Sequence, residues 1–444
     1  MVPSTIDTAV AGAGPAGCLA AMNLAQKRGE EVLLLEADTS QRNRFAGEWL
    51  HPAGIAALGR GSALGLDEIG GDLITQRGFV IFPDDAGEPV VLDYPGEERG
   101  LVFEHTALVN LLRRRAIATP GVRIARGAKV TRVKRGELDY RDAASGEIRS
   151  LAADRIVGAD GRGSLVRPAL GLSRSSQLIS YMAGVVLRDV ELPFEGYGHV
   201  ILGAPGPILL YRISPGVVRA SIDVPAERGG AKADWAGLLR DEYLPFVPES
   251  IRPAFVRALA EEELAFRANR YRPRTNYGDG ALCLVGDAVG FQHPLTAMGM
   301  TLGFQDAEGL ASHESFAEFQ RERRAATLVP ELLAMALYQA FSGRDPGARE
   351  VRRAIYAMWR RFPVERERTM LLLSGKLTSP VGFGMSFFRG VHLALAGAAL
   401  SEDHRWQWTQ LSRTLGSIGQ IMHGLLSCSS TRLPRGYGGM AARA

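Results

Sequence analysis

The chain has 444 residues, 46% apolar and 23% charged, which excludes a disordered or collagen-like polypeptide and allows two or three domains. Its net charge of +4 comes almost wholly from arginine, with only five lysines, and no basic stripe interleaved with aromatics marks a nucleic-acid surface. Three widely spaced cysteines, Cys18, Cys283 and Cys428, exclude a disulfide framework and a zinc site, so no metal is expected and a reducing, cytoplasmic setting is.

No basic segment followed by an apolar run opens the sequence, so no signal peptide is expected. Thr8 to Ala11 reads as a strand that enters Gly12–Ala13–Gly14–Pro15–Ala16–Gly17. A helix follows to about Arg28, and a second strand, Glu31 to Leu35, ends at Glu36. This is the βαβ dinucleotide fingerprint. Gly12 allows the tight turn, Gly14 lets the backbone approach a pyrophosphate, and Gly17 permits close helix–strand packing. Glu36 stands where it can accept hydrogen bonds from a ribose, and an acid there disfavours a 2′-phosphate. Arg44 opens the run Arg44–Phe45–Ala46–Gly47–Glu48–Trp49–Leu50 and reads either as a cofactor phosphate or ribose contact or as part of a charged surface loop.

Alternating apolar positions between 78 and 104 predict hairpin strands around Pro83–Gly87. His105 starts a helix with Leu108, Leu111 and Leu112 on one face, and Arg113, Arg114 and Arg115 read as its solvated end. Strands follow around Val122–Ile124, Val130–Val133 and Ile148–Leu151. Another strand ends in Gly158–Ala159–Asp160–Gly161, before a short helix at Ser164 to Arg167; an N-cap alone would account for that aspartate. Residues 178 to 275 lean towards strand, with a helical piece from about Ala233 to Leu264. A short strand, Leu282 to Val285, then turns at Gly286–Asp287, and a helix is expected near Gly299 after Pro294. A carboxylate on such a turn suits a sugar or polyol hydroxyl, and a glycine-rich helix start suits an anion. Residues 307 to 444 are mainly helical, with Glu314 to Phe341 the clearest case.

The fingerprint with Glu36, the Asp160–Gly161 run and the Gly286–Asp287 run stand in order at sensible spacing. Together they resemble the class A FAD-dependent monooxygenases of the p-hydroxybenzoate-hydroxylase fold, over about residues 6 to 325. His293–Pro294–Leu295–Thr296, Gly299–Met300–Thr301 and Asp306 are similar to the squalene-epoxidase branch, as is Arg44 to Glu48. The resemblance implies an α/β fold: a Rossmann-like FAD-binding domain, an inserted β-sheet substrate domain and a helical C-terminal region. The FAD domain is expected in 1–75, 101–177 and 276–325, the sheet domain in 76–100 and 178–275, and the helical region in 326–444. It implies that Asp287 holds the ribityl chain or pyrophosphate region, and that Asp160 and Gly161 touch the pyrophosphate and help hold NAD(P)H. Where the family often has two more glycines before Gly299, this chain has Ala297 and Met298. Family halogenases carry a tryptophan motif that Trp406–Gln407–Trp408 does not match in sequence or position.

The implied chemistry is oxygen transfer from a flavin C4a-hydroperoxide, formed from NAD(P)H-reduced FAD and O2, to an electron-rich ring or alkene. Backbone N–H groups of Pro294 to Thr301 would face the flavin pyrimidine edge. No side chain stands out as an acid or base. His293, His105, Tyr211 and Arg212 are candidate pocket residues, and Met298 is expected to shape the pocket beside the flavin. The apolar run Leu377 to Leu400, interrupted by Arg389, and the arginine-rich 344–368 before it fit either a helical cap or peripheral contact with an anionic membrane. Either suits a large apolar substrate such as an isoprenoid, prenylated aromatic or polyketide-like molecule. A flavin-dependent isoprenoid double-bond reductase and a non-catalytic FAD-binding protein are the alternatives.

Overall fold

A computed structural model describes residues 4–39, 45–62, 73–230, 233–261, 264–399, 415–416 and 419. The strands Val32–Glu36, Thr5–Ala11, Ile148–Gly158 and Leu282–Leu284 lie side by side and parallel. Their segments Val32–Leu35, Ala9–Ala11, Ile156–Gly158 and Leu282–Leu284 are apolar and buried, as strands covered on both faces require. Val122–Arg126 joins in parallel beside Val32–Glu36, and the antiparallel pair Glu137–Asp142 and Ala128–Lys134 completes the far side.

The register fixes the site. Ala11 pairs with both Leu35 and Gly158, and Gly158 pairs with Leu284. The chain therefore leaves the sheet at Gly12, Ala37, Ala159 and Val285 along one edge. Carboxyl ends of parallel strands are where such sheets bind ligands. The helix Pro15–Arg28 packs on the sheet and against the helix Gly299–Ser312.

A second sheet runs, in spatial order, Ala265–Tyr271, Gln177–Arg188, Val217–Pro225, Ile208–Ser214, Tyr197–Ile201, Gly78–Phe82 and Val90–Asp93. The early hairpin thus joins the later strands, with Gly78–Phe82 parallel to Tyr197–Ile201. A small sheet of Trp49–Leu50, Gly100–Val102 and Ile74–Gln76 lies beside these. The helices Phe316–Ser342, Pro346–Arg361, Pro363–Leu373 and Pro380–Ala399 follow. Their buried residues, among them Leu332, Leu333, Tyr356 and Trp359, share one apolar core with Ile81, Leu92 and Val200 of the second sheet.

Two strands escape the apolar pattern. Glu137–Asp142 buries only the middle of ELDYRD, and Ala265–Tyr271 is a polar edge strand. The helical piece expected over 233–264 divides into Trp235–Glu242 and Arg252–Glu261, with Pro245 and Pro248 in the gap, where they lack the N–H that would continue a helix. Trp406–Gln407–Trp408 and Cys428 lie outside the described residues.

Candidate active site

A cavity of about 820 Å³ runs along the carboxyl edge of the first sheet and on to the second. At one end it is lined by Gly12, Gly14, Pro15, Ala16 and Glu36, further along by Asp160, Gly161, Gly286 and Asp287, then by His293, Pro294, Gly299 and Met300. The opposite wall includes Trp49, Phe79, Leu209 and Tyr211.

The three fingerprint glycines do three different things. Gly12 has φ +100°, and a Cβ there would lie 2.6 Å from Ala159 O. A Cβ on Gly17 would lie 2.0 Å from Gly12 O, so Gly17 serves the packing and does not line the cavity. A Cβ on Gly14 would meet nothing within 4 Å, because that position faces the cavity. The helix starting at Pro15 has no side-chain cap, which leaves its first N–H groups for an anion.

Glu36 accepts from Ala13 N–H at 3.0 Å and Asp38 N–H at 2.7 Å, and its Oε2 lies 2.7 Å from the Arg113 guanidinium. A carboxylate has about four acceptor positions, so one is left on Oε1 for a ribose hydroxyl. Arg113 also donates from Nε to Ala13 O at 2.9 Å, so it is no solvated helix end. The clue was the spacing: Thr106, Val109, Asn110 and Arg113 line the cavity as one face of the helix His105–Ala118, and Leu108, Leu111 and Leu112 form the buried one. His105 lines the cavity beside them and bonds Gly47 O through Nδ1 at 2.9 Å.

Asp160 accepts from Leu165 N–H at 2.6 Å just before the short helix Val166–Ala169, while its Oδ1 is buried without a hydrogen-bond partner and the residue lines the same cavity. Burial raises its pKa. Asp287 pairs across the cavity with Arg162 at 3.3 Å, its side chain still 37% exposed. Behind it, Asp306 is fully buried. Asp306 bonds the Arg274 guanidinium, accepts from Gly286 N–H at 3.0 Å and receives Arg323 Nε at 2.9 Å. Arg274 in turn donates to Gly286 O at 3.0 Å and Gly290 O at 2.7 Å. The strand–turn that carries Asp287 is thereby held from below.

Glu48 is 1% exposed and receives both Nε and a terminal nitrogen of Arg219, at 3.0 and 2.7 Å, along with Tyr211 O–H at 3.1 Å. Tyr211 is kept protonated by burial and by Glu48. Trp49 stacks on Phe79 at 4.5 Å and meets Tyr211 edge-on at 5.9 Å, which gives that end an aromatic wall. Arg212, next to Tyr211 in its strand, points to the opposite face and bonds Glu195 and Val190 O, so it is not a pocket residue. His293 bonds Asp223 Oδ1 at 2.9 Å and lies 3.1 Å from Ser180 Oγ, and its ring stacks on Tyr338 at 4.1 Å.

Two expectations about the loop before the last motif helix change. Met298 is 1% exposed and does not line the cavity; its Cε lies close to Gly375. Thr301 also turns inward, with its hydroxyl buried beside Gly54. Met300, with its side chain against Gly47, lines the cavity in their place. Both follow from helix geometry: at about 100° per residue, Thr301, one step after Met300, and Met298, two steps before it, project in other directions. Arg44 lies outside the described residues.

The open approach at Gly14, the uncapped helix, the spare acceptor of Glu36 and the orphaned Asp160 oxygen fit FAD laid along this edge. A model of the squalene epoxidase family matches residues 152–404. Squalene epoxidase 3 of Arabidopsis thaliana is 32% identical over 411 residues, covering 86% of this chain and 77% of the relative. The chain belongs to the squalene epoxidase family. Squalene epoxidase erg1 of Aspergillus fumigatus is 30% identical over 421 residues, covering 88% of this chain and 86% of its own. Among solved structures, the flavin-dependent brominase Bmp2 matches with a TM-score of 0.70 at 16% identity, covering 87% of this chain and 97% of that one. The p-nitrophenol 4-monooxygenase PnpA of Pseudomonas putida DLL-E4 matches with a TM-score of 0.68 at 21% identity, covering 84% of this chain and 100% of that one. These likenesses establish the shared fold. As a member of the squalene epoxidase family the protein is an enzyme, an FAD-dependent monooxygenase that acts on an apolar substrate.

Proposed function

We propose that the enzyme inserts one oxygen atom of O2 into a carbon–carbon double bond of a large isoprenoid-like substrate, with NADH or NADPH as the electron source. The observation that carries this reading is the continuity of the cavity. One space is lined both by Gly14 and Glu36 and by the aromatic side chains of Trp49, Phe79 and Tyr211. FAD supplies the reducing and oxygen-activating chemistry when bound. Gly14, Pro15 and the first turn of their helix would hold its pyrophosphate, Glu36 its adenosine ribose, and Asp287 its ribityl hydroxyls, beside Asp160 and Gly161.

The first-turn N–H groups at Gly299 and Met300 would hold negative charge on the ring system. The aromatic wall would orient an alkene and exclude water. Among the described residues lining that wall, no carboxylate is unpaired: Glu48 is neutralised by Arg219, which suits an apolar substrate.

We also propose peripheral contact with a membrane. On the helix Pro380–Ala399, Val381, Met385 and Phe388 are 71%, 51% and 67% exposed and fall on one face. Helix Phe316–Ser342 is long and apolar enough to cross a bilayer, but it reads as a core helix because its Arg323 and Glu331 bond Asp306 and Arg274 in the interior.

The test is turnover of the FAD-loaded enzyme with squalene under 18O2 and NAD(P)H. One labelled oxygen per product is expected. A saturated, unlabelled product would replace this reading with double-bond reduction, and flavin reduction without any product would reject the substrate class.

A further inference from the structure

The turn Pro294–Thr296 follows the last strand of the first sheet, Leu282–Leu284, and leads into the helix whose N-terminus lines the cavity, and a histidine grips it at each end. His293 Nδ1 accepts from Leu295 N–H at 3.2 Å. At the other end, His51 Nε2 lies 2.8 Å from Thr296 O. His51 is fully buried and does not itself line the cavity. A carbonyl can only accept, so Nε2 carries the proton. Nδ1 is then an acceptor, and Tyr94 O–H donates to it at 2.6 Å. Tyr94 oxygen is in turn free to accept Trp49 Nε1–H at 3.1 Å. Every group in this buried chain from Trp49 to Thr296 therefore has one consistent role.

The peptide that follows is held from both sides. Thr296 O is taken by His51, and Ala297 N–H donates to Pro294 O at 2.8 Å. Ala297 sits at φ +50°, ψ 20°, a left-handed conformation that an alanine adopts at a cost. That conformation turns the chain so that the helix can begin with Gly299 and Met300 against the cavity. The residue most exposed to relaxation is thus next to the peptide that His51 fixes.

We propose that His51 is a positioning residue, which acts through the Thr296 carbonyl to aim the free N–H groups at the start of helix Gly299–Ser312 at the bound cofactor. This rests on the cofactor placement proposed above. The helix start favours negative charge, so misaiming it should weaken the reduced, anionic flavin more than the oxidised one.

Three substitutions separate the atoms. His51→Phe removes both ring nitrogens. His51→Gln places an amide nitrogen near the position of Nε2 and keeps a donor for Thr296. His51→Asn reaches the Nδ1 position and Tyr94 only. Each variant is checked by circular dichroism, then titrated with FAD, and the midpoint potential of the bound flavin is measured. His51→Phe and His51→Asn should lose about tenfold more affinity for reduced than for oxidised flavin, which lowers the two-electron midpoint by about 30 mV. His51→Gln should stay within twofold of wild type. If His51→Phe does not fold, the Asn and Gln variants decide the matter. Equal potentials in those two variants, or a loaded Phe variant with the wild-type potential, would overturn the proposal. Failure of wild type to bind FAD would instead reject the cofactor placement.

Discussion

The Arg113 guanidinium lies 2.7 Å from Glu36 Oε2, and the same side chain donates from Nε to Ala13 O at 2.9 Å. Arg113 thus ties the end of the second strand to the fingerprint turn. Charge-assisted bonds of this kind contribute about 1.5–3 kcal/mol each. Arg113→Leu should raise the FAD dissociation constant about tenfold. Glu36→Ala should raise it further, because it also frees the Ala13 and Asp38 N–H groups. Fluorescence titration of apoprotein with FAD measures both. The double variant should fall well short of the product of the two effects, since both act through one network. Full additivity would show that Arg113 and Glu36 act separately.

The glycine turn and Glu36 were legible in the sequence because their roles are local: a turn, a close approach, a strand end. Arg113 was not, because it sits on a helix whose partner, Glu36, ends a strand much earlier in the chain, and it stands beside two other arginines, Arg114 and Arg115. Met298 was misplaced for a related reason. Its position before a helix is a sequence fact, but the direction of its side chain depends on Gly375, far along the chain. Glu48 was visible as part of a motif, yet its burial against Arg219 and Tyr211 needed the second sheet to be in place. The strand Glu137–Asp142 was hidden because only Leu138, Asp139 and Tyr140 are buried in an otherwise polar stretch.

Asp306 carries the stability of the last motif. It is the carboxylate between Arg274 and Arg323, both nearly fully buried. Asp306→Asn keeps the shape and removes the charge, leaving the Arg274 and Arg323 guanidiniums without the carboxylate that both of them bond. Breaking such an arrangement costs about 3–5 kcal/mol. Chemical denaturation should show that loss, accompanied by loss of FAD, because Gly286 N–H is held by the same carboxylate. A change below about 1 kcal/mol would mean that Arg274 and Arg323 find other partners.

Acid should weaken the fold before its carboxylates titrate. Burial lowers the pKa of His51 and of His199 from 6.5 to about 4. Between those values the unfolded chain binds protons that the folded chain refuses. The contribution is therefore complete above pH 6.5 and lost as pH falls towards 4, at about 1.4 kcal/mol per histidine per pH unit. Urea denaturation from pH 7 to pH 5 should show this decline, and His51→Gln should reduce its slope by about half. A flat profile over that range would show that neither histidine is held neutral.

The last prediction separates two neighbours just before the helix Gly299–Ser312. Met298 is buried against Gly375, outside the cavity, whereas Ala297 lines it. Truncating a buried methionine costs about 2–5 kcal/mol. Met298→Ala should therefore lower the melting temperature while leaving the ratio of oxygenated product to NAD(P)H consumed unchanged at temperatures where the variant is folded. At Ala297, glycine would relieve a left-handed conformation worth about 1–2 kcal/mol. It would also give up a methyl contact and add freedom to the unfolded chain, about 0.4–1 kcal/mol. These oppose each other, so Ala297→Gly should leave stability within about 1 kcal/mol of wild type. Because this methyl group does face the cavity, any change in coupling should come from position 297. A lowered product ratio in fully loaded Met298→Ala, with Ala297→Gly unaffected, would reverse the assignment of which side chain faces the flavin.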